Sequence, residues 1–123
     1  MSDIKSYQRL LAVQALYESS INKKEIDTEI EELLLHIIEN ANFKNKVKDS
    51  KLLLTKEIYK GVLSNLHVID ITLKNSINNK NKLQVFDKLL LSILRCGIYE
   101  ITIKKKISKK IVISEYLLIS NHF

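Results

Sequence analysis

Apolar side chains recur at steps of three and four residues along most of the chain, the spacing that places them on one face of an α-helix. The clearest stripe spans 26–38, where acidic side chains fill the opposite face. A longer stripe predicts one helix over about 51–77, and another runs over 86–101. A first helix is predicted over about 3–20. The pattern therefore indicates a bundle of about five helices once the C-terminal segment is included.

One glycine lies inside the longest stripe. Gly61 interrupts a run of good helix formers, and glycine in a helix interior costs about 1 kcal/mol relative to alanine. We therefore expect a neighbouring helix to approach the backbone closely at this position.

The C-terminal segment can be interpreted in two ways. β-Branched residues alternate over 101–113, which favours a hairpin with its turn over 106–109. The same residues are compatible with the end of one helix, a turn, and a further helix capped by Ser108. An isolated hairpin has little to pair with, so a helical bundle favours the second interpretation.

Composition places the chain among single-domain globular proteins, and we treat 1–123 as one domain. The chain has 123 residues, of which 46% are hydrophobic, and no apolar run approaches the roughly 18 residues that span a membrane. The N-terminal residues lack the pattern of a secretory signal, and Cys96 has no second cysteine to pair with. We therefore expect a cytoplasmic protein that does not bind membranes.

The positive charge is concentrated in the C-terminal third. The whole chain carries 20 basic and 14 acidic side chains, whereas 80–123 contains nine basic and three acidic ones. Such a region favours an anionic partner, and nucleic acid is the first candidate. Codon bias towards lysine, isoleucine and asparagine is the competing explanation.

The sequence contains no pattern that predicts catalysis. His36, His67 and His122 lack metal-ligand spacing with Cys96 or with each other, and phosphate loops, dinucleotide turns and nucleophile elbows are missing. His36 is expected at the edge of the core, and Cys96 within it. We expect neither enzymatic activity nor a cofactor or metal.

Features typical of RNA binding are clearer. Lys5 and Arg9 are four residues apart on the predicted polar face of the first helix, a spacing that can hold neighbouring phosphates. Gln8 lies between them and can contact a base or sugar, while Tyr7 and Tyr17 can stack on unpaired bases. A lysine cluster would add affinity without sequence preference; it comprises Lys104, Lys105, Lys106, Lys109 and Lys110.

Three motifs in register resemble a known family. They are AVQALY at 12–17, GVLSNLHVID at 61–70 and ILRCGIYEI at 93–101. In order and spacing they are similar to the bacterial transcription antitermination factors of the NusB family, from about Lys5 to Phe123. The resemblance implies an all-α fold of about five helices in two small subdomains, and it favours a helix for the C-terminal segment.

The resemblance also implies an RNA-binding, non-enzymatic function. Proteins of this family pair with NusE, a small-subunit ribosomal protein, and recognise single-stranded boxA RNA within the RNA polymerase antitermination complex. They promote read-through in ribosomal RNA operons. Lys5 and Arg9 match basic positions of the family's RNA-binding helix, and Tyr17 matches its tyrosine.

Several positions depart from the family pattern. Ser6 and Tyr7 stand where the family has arginines. Leu90 and Leu91 replace an acidic and a basic residue on the helix that faces NusE, and we assign both to partner binding.

A further departure is at the C-terminus, where the resemblance implies a chain shortened by the family's last helix. The alternative function is then a protein-interaction module, or a degraded NusB remnant, that uses an exposed groove around Leu117 to form a homodimer without specific RNA binding. The similar domain of a ribosomal RNA cytosine methyltransferase, as a detached fragment, is a further alternative.

Overall fold

Helices make up most of the part of the chain that the computed structural model describes, residues 3–22, 30–47, 50–77 and 87–123. These ranges contain seven α-helices and one π-helical turn, and no strand. The helices are α1 (Ile4–Asn22), α2 (Ile30–Glu39), α3 (Lys44–Val47), α4 (Leu53–Ser64), α5 (Leu66–Ser76), α6 (Lys88–Ile98) and α7 (Lys109–His122), with the π-helical turn over Tyr99–Lys104. The all-α fold class is confirmed.

Helix α1 forms the centre of the bundle. It contacts α2, α3, α4, α6 and α7, so its middle turns meet a neighbour on every side. Leu10, Leu11, Ala12 and Val13 are four successive residues, and none of them exposes any surface. A helix buried all round in this way has no continuous polar face, so the expected polar side of α1 is wrong beyond its first turn.

The long helix predicted over 51–77 is broken into α4 and α5 at Asn65. The Asn65 side chain donates a hydrogen bond to the carbonyl oxygen of Gly61 at 2.8 Å, and its backbone N–H also donates to this carbonyl. Asparagine competes for backbone groups in this way and favours helix ends. Because the apolar period continues through the break, spacing alone did not reveal it.

The close approach predicted at Gly61 is confirmed. The Tyr99 ring, from the π-helical turn, occupies the space in which a side chain at this position would lie. Tyr99 is itself buried, so the absence of a Cβ at Gly61 allows α4 to pack against the turn.

The C-terminal segment is a helix and not a hairpin. Ser108 caps α7, because its Oγ accepts a hydrogen bond from the Ile111 backbone N–H at 3.3 Å. Lys105, just after the π-helical turn, has a φ of 53°, in the left-handed region, and ends that turn before α7 begins. Phe86, the start of the third stripe, lies outside the described residues.

Among the described helices, none is both long enough and apolar enough to cross a membrane.

Candidate nucleic-acid interface

Arg9, the residue expected to contact phosphates, forms a buried ion pair. Its Nε donates to Glu100 Oε2 at 2.8 Å and its Nη2 donates to Glu100 Oε1 at 3.1 Å. The side chains are 7% and 1% exposed, respectively. Two parallel hydrogen bonds of this kind fix both groups in place. The pair joins α1 to the π-helical turn across the centre of the bundle.

Tyr116 completes the buried network. Its hydroxyl donates to Glu100 Oε2 at 2.6 Å and links α7 to the same carboxylate. Burial raises the pKa of Tyr116 well above its usual value, and the nearby Cys96 and Glu100 raise it further. Burial alone would lower the pKa of Arg9, but the hydrogen bond and the charge of Glu100 outweigh it, so the net change is a raised pKa. The network therefore holds Arg9 charged and Tyr116 neutral.

Gln8 is also engaged inside the bundle. Its Oε1 accepts from the Leu54 backbone N–H at 2.9 Å, and its carbonyl oxygen accepts from Thr55 Oγ1 at 2.8 Å. The first of these bonds satisfies a backbone N–H in the first turn of α4, where no side-chain cap is present, and the second ties the Thr55 side chain to α1. Gln8 and Arg9 are thus not neighbours of Lys5 on an open surface, and the expectation of such a surface is corrected for both.

The remaining candidates on α1 lie closer to solvent. Lys5 is exposed, as expected. Tyr7 is half-buried and stacks on Phe43 with ring centroids 5.1 Å apart. Tyr17 is half-buried at the wall of a cleft and is the tyrosine that ends AVQALY. The structure therefore places Lys5 and Tyr17 at the surface but in different turns of the helix.

The cleft beside Tyr17, which we call the Gln14 cleft, has a volume of about 450 Å³. It is formed by α1, α2, the segment before α3, and the end of α7. The residues that define it here are Gln14, Tyr17, Glu18, His36, Phe43 and His122. Gln14 Oε1 is fully buried and has no hydrogen-bond partner among the described residues.

A second cleft adjoins the first. This Lys46 cleft has a volume of about 580 Å³ and is lined by Tyr7, Lys46 and Leu118. Phe43 and His122 line both clefts, and their rings meet edge to face at a centroid distance of 6.3 Å. The two clefts therefore share an aromatic wall.

The lysine cluster lies at the turn before α7. Lys104 is engaged, because its Nζ donates to Glu57 Oε2 at 3.0 Å and its side chain is only 10% exposed. The other four, Lys105, Lys106, Lys109 and Lys110, are exposed. Lys109 and Lys110 occupy the first turn of α7, where the helix dipole disfavours cations. Four of the five predicted lysines are thus available to an anionic partner.

Comparison with known proteins identifies the relationship. The NusB family model matches residues 6–123. The chain belongs to the NusB family. It is 30% identical over 115 residues to the transcription antitermination protein NusB of Bradyrhizobium sp. (strain ORS 278), a match that covers 94% of this chain and 68% of that protein.

The matches to two further relatives cover a larger share of the relative's length. The transcription antitermination protein NusB of Rickettsia akari is 30% identical over 122 residues, covering 95% of this chain and 78% of the relative. That of Sphingopyxis alaskensis is 29% identical over 123 residues, covering 97% and 80%.

The motifs that carry the resemblance to NusB proteins are joined in the structure. Arg95 in ILRCGIYEI donates two hydrogen bonds of 2.9 Å to Asp70, the last residue of GVLSNLHVID. Glu100, in the former motif, holds Arg9, three residues before AVQALY. Much of what makes the sequence similar to NusB proteins therefore fixes helix packing.

The two leucines assigned to partner binding lie on α6 of this NusB fold. Leu90 is 38% exposed and Leu91 is half-buried. On α5, which contacts α6, Val68 and Ile71 are also exposed. These helices thus present apolar side chains beside the Arg95–Asp70 pair.

Other expectations concerned catalytic or core residues. Cys96 is completely buried, as expected, and burial raises the pKa of its thiol, which keeps it protonated. His36 is exposed at the wall of the Gln14 cleft, whereas it was expected at the edge of the core. Within the described ranges, no three histidine, cysteine, aspartate or glutamate side chains are grouped as a metal site.

Sequence reasoning missed Gln14, Phe43 and His122 as site residues. Phe43 lies in a polar connection and His122 near the C-terminus, and neither belongs to an apolar stripe. Only the position of Gln14 within AVQALY gave a local signal, whereas the other two require knowledge of the tertiary packing.

Proposed function

We propose that this protein acts in transcription antitermination by binding boxA-type single-stranded RNA together with NusE, and so promotes read-through in ribosomal RNA operons. The observation that carries the proposal is the NusB family match over residues 6–123. Membership in this family supports a transcription antitermination role, and the exposed basic and aromatic side chains supply chemistry suited to RNA.

Phosphate contacts come from exposed cations. Lys5 on α1 and the lysines before and at the start of α7 are accessible to the RNA backbone. Such contacts contribute affinity that does not depend on sequence and weakens with salt. Arg9 and Gln8 act as positioning residues, because their hydrogen bonds fix α1 against Glu100 and Leu54.

Base contacts come from the aromatic side chains of the clefts. Tyr17 presents part of its ring at the Gln14 cleft. Stacking of an unpaired base on such a ring contributes about 1–3 kcal/mol and is available only to single-stranded RNA.

Partner contacts come from the surface of α5 and α6. Leu90, Leu91 and Ile71 offer apolar contact area there. This surface is assigned to NusE, and RNA and NusE then occupy different parts of the fold.

A charge-matched pair of variants tests the RNA surface. Lys109→Ala with Lys110→Ala removes two exposed cations of the cluster, and the control is Lys60→Ala with Lys74→Ala on α4 and α5. Affinity for a boxA-type oligonucleotide is measured by fluorescence anisotropy across a salt series. The slope of log affinity against log salt is expected to fall by about 0.7 for each lost phosphate contact in the cluster variant only. Equal slopes for both variants would contradict the assignment of the lysine cluster.

A further inference from the structure

We propose that the groove between α2 and the start of α4 docks an amphipathic helix of a protein partner, with leucine-type side chains on its inner face and acidic side chains beside them. This groove, which we call the Leu35 groove, has a volume of about 530 Å³. It shares no lining residue with the Gln14 cleft or the Lys46 cleft, and no residue of α5 or α6 lines it. It is therefore separate from the surfaces assigned to RNA and to NusE.

The lining of the groove is largely apolar. The buried Leu34, Val47 and Leu52 form its inner part. Leu35 on α2 and Leu53 on α4 also line it and are 61% and 69% exposed, which makes them the two most exposed large hydrophobic side chains among the described residues. Exposed apolar side chains grouped around a groove are typical of a binding surface for another protein.

The backbone at Leu52 maintains this exposure. Leu52 has a φ of 55° and a ψ of 40°, the left-handed region that a leucine side chain disfavours. Its own side chain is buried, whereas Leu53, the first residue of α4, lies mostly in solvent. Backbone strain of this kind persists where the surrounding structure fixes it, and it is concentrated at functional sites. The strain therefore favours a binding role for Leu53.

The charges around the groove favour an acidic partner. Three lysines and two glutamates line it, and Lys56 and Glu31 form an ion pair in which their charges largely offset each other. Lys44 and Lys51 are exposed and outnumber the remaining Glu39. The start of α4 adds the positive end of a helix dipole. A carboxylate beside the apolar contacts is therefore favoured.

These features suit a protein helix better than RNA. None of the residues that line the groove is aromatic, so an unpaired base has no ring to stack on. An amphipathic helix in an apolar groove presents anchors at positions i, i+3 or i+4, and i+7. The anchors of the partner contact Leu35 and Leu53, and its acidic side chains lie near Lys44 and Lys51.

Three designed helical peptides of equal length are the probes, and their binding to the full chain is measured by fluorescence anisotropy. The first has leucines at the anchor positions and glutamates beside them. The second has lysines in place of the glutamates, and the third has serines in place of the leucines. We expect the first to bind at least about tenfold more tightly than either of the others, because only it matches both the apolar lining and the charge. Equal binding of all three would overturn the proposal.

A matched pair of variants locates the bound peptide. Leu35→Ser with Leu53→Ser removes the two exposed leucines of the groove. The control, Ile113→Ser with Leu117→Ser, removes two apolar side chains of similar exposure on α7. Only the groove variant is expected to weaken binding of the first peptide, by about tenfold or more. If both variants behave alike, the groove is not the docking site.

A second pair tests the charge preference. Lys44→Glu with Lys51→Glu is expected to weaken the glutamate peptide and to strengthen the lysine peptide. Lys60→Glu with Lys74→Glu makes the same change of net charge at exposed positions outside the groove and is expected to leave the ratio of the two affinities unchanged. The same ratio in both variants would contradict an acidic partner.

Other occupants of the groove would give different results. In Leu35→Ser/Leu53→Ser protein we expect unchanged affinity for NusE and for boxA-type RNA, and a mass by light scattering equal to that of the wild type. Loss of NusE or RNA binding in this variant alone would assign the groove to that molecule. A wild-type dimer that becomes a monomer only in this variant would assign the groove to a second copy of the chain. Each of these results would overturn the separate partner helix.

Discussion

At the scale of single residues, the contact between Arg9 and Glu100 decides how α1 can function. A guanidinium four residues from Lys5 is typical of a phosphate clamp when only the sequence is considered. In the fold the guanidinium donates two hydrogen bonds to a carboxylate that is 1% exposed. Breaking that pair to reach a phosphate would leave Glu100 buried with its charge uncompensated.

Removal of one partner of this ion pair should destabilise the protein strongly. Arg9→Met leaves Glu100 charged and unpaired, and we expect the free energy of unfolding to fall by about 3–5 kcal/mol. Adding Glu100→Gln should recover much of the loss, because the amide is neutral and its oxygen still accepts from Tyr116. Urea unfolding of the wild type, both single variants and the double variant gives the coupling energy.

The same double variant tests whether Arg9 contacts RNA. A structural role predicts that the salt dependence of RNA binding is unchanged in folded Arg9→Met/Glu100→Gln protein. A slope reduced by about 0.7 would instead show a phosphate contact by Arg9, as the sequence suggested.

Tyr116 gives the network a pH dependence on the alkaline side. Its folded-state pKa is raised above the model-peptide value of 10.0, so the unfolded chain releases the proton at lower pH than the folded chain does. The contribution of Tyr116 to the free energy of unfolding is complete below pH 10. As the pH rises above 10, this contribution falls by up to about 1.4 kcal/mol per pH unit. Denaturation at pH 9 to 11 should show a shallower loss of stability for Tyr116→Phe than for the wild type. Parallel curves would contradict this role.

At the scale of helices, the two glycines provide a matched pair. A Cβ at Gly61 would overlap the buried Tyr99 ring, whereas a Cβ at Gly97 would meet Tyr116 Cδ2 at an ordinary 3.7 Å. Both lie within helices, where alanine is favoured by about 1 kcal/mol.

We therefore expect opposite signs for the two alanine substitutions. Gly61→Ala should destabilise the protein by about 1–3 kcal/mol, because the ring must move within a packed core. Gly97→Ala should stabilise it by up to about 1 kcal/mol. Thermal unfolding measures both, and Gly61→Ala combined with Tyr99→Leu should recover part of the loss. Stabilisation by Gly61→Ala alone would contradict the packing described here.

Helices α1, α2 and α6 and the combined span of α4 and α5 could be predicted from apolar spacing, but the short α3 and the ends and exposed faces of the helices could not. The break at Asn65 depends on one asparagine that bonds back to Gly61. The burial of Gln8 and Arg9 depends on partners 46 and 91 residues away, which no local pattern encodes. The capping serine of α7 was visible in the sequence, but local propensity favoured a hairpin, and the helix was chosen only from the bundle as a whole and from the resemblance to NusB proteins.

At the scale of the whole molecule, different surfaces of the protein suit different candidate partners. The clefts beside α1 and the lysines before and at the start of α7 suit RNA, whereas α5 and α6 expose apolar side chains suited to a protein. α7 also exposes Ile111, Ile113 and Leu117, and a homodimer through this helix stays a prediction.

We expect this NusB-family chain to recognise boxA-type RNA together with NusE. The most direct measurement is binding of a fluorescent boxA-type RNA and of a scrambled RNA of equal length, with and without purified NusE, across a salt series. We expect NusE to tighten binding of the boxA-type RNA more than that of the scrambled RNA. Weak and equal binding of both RNAs in the presence of NusE would contradict the proposed function.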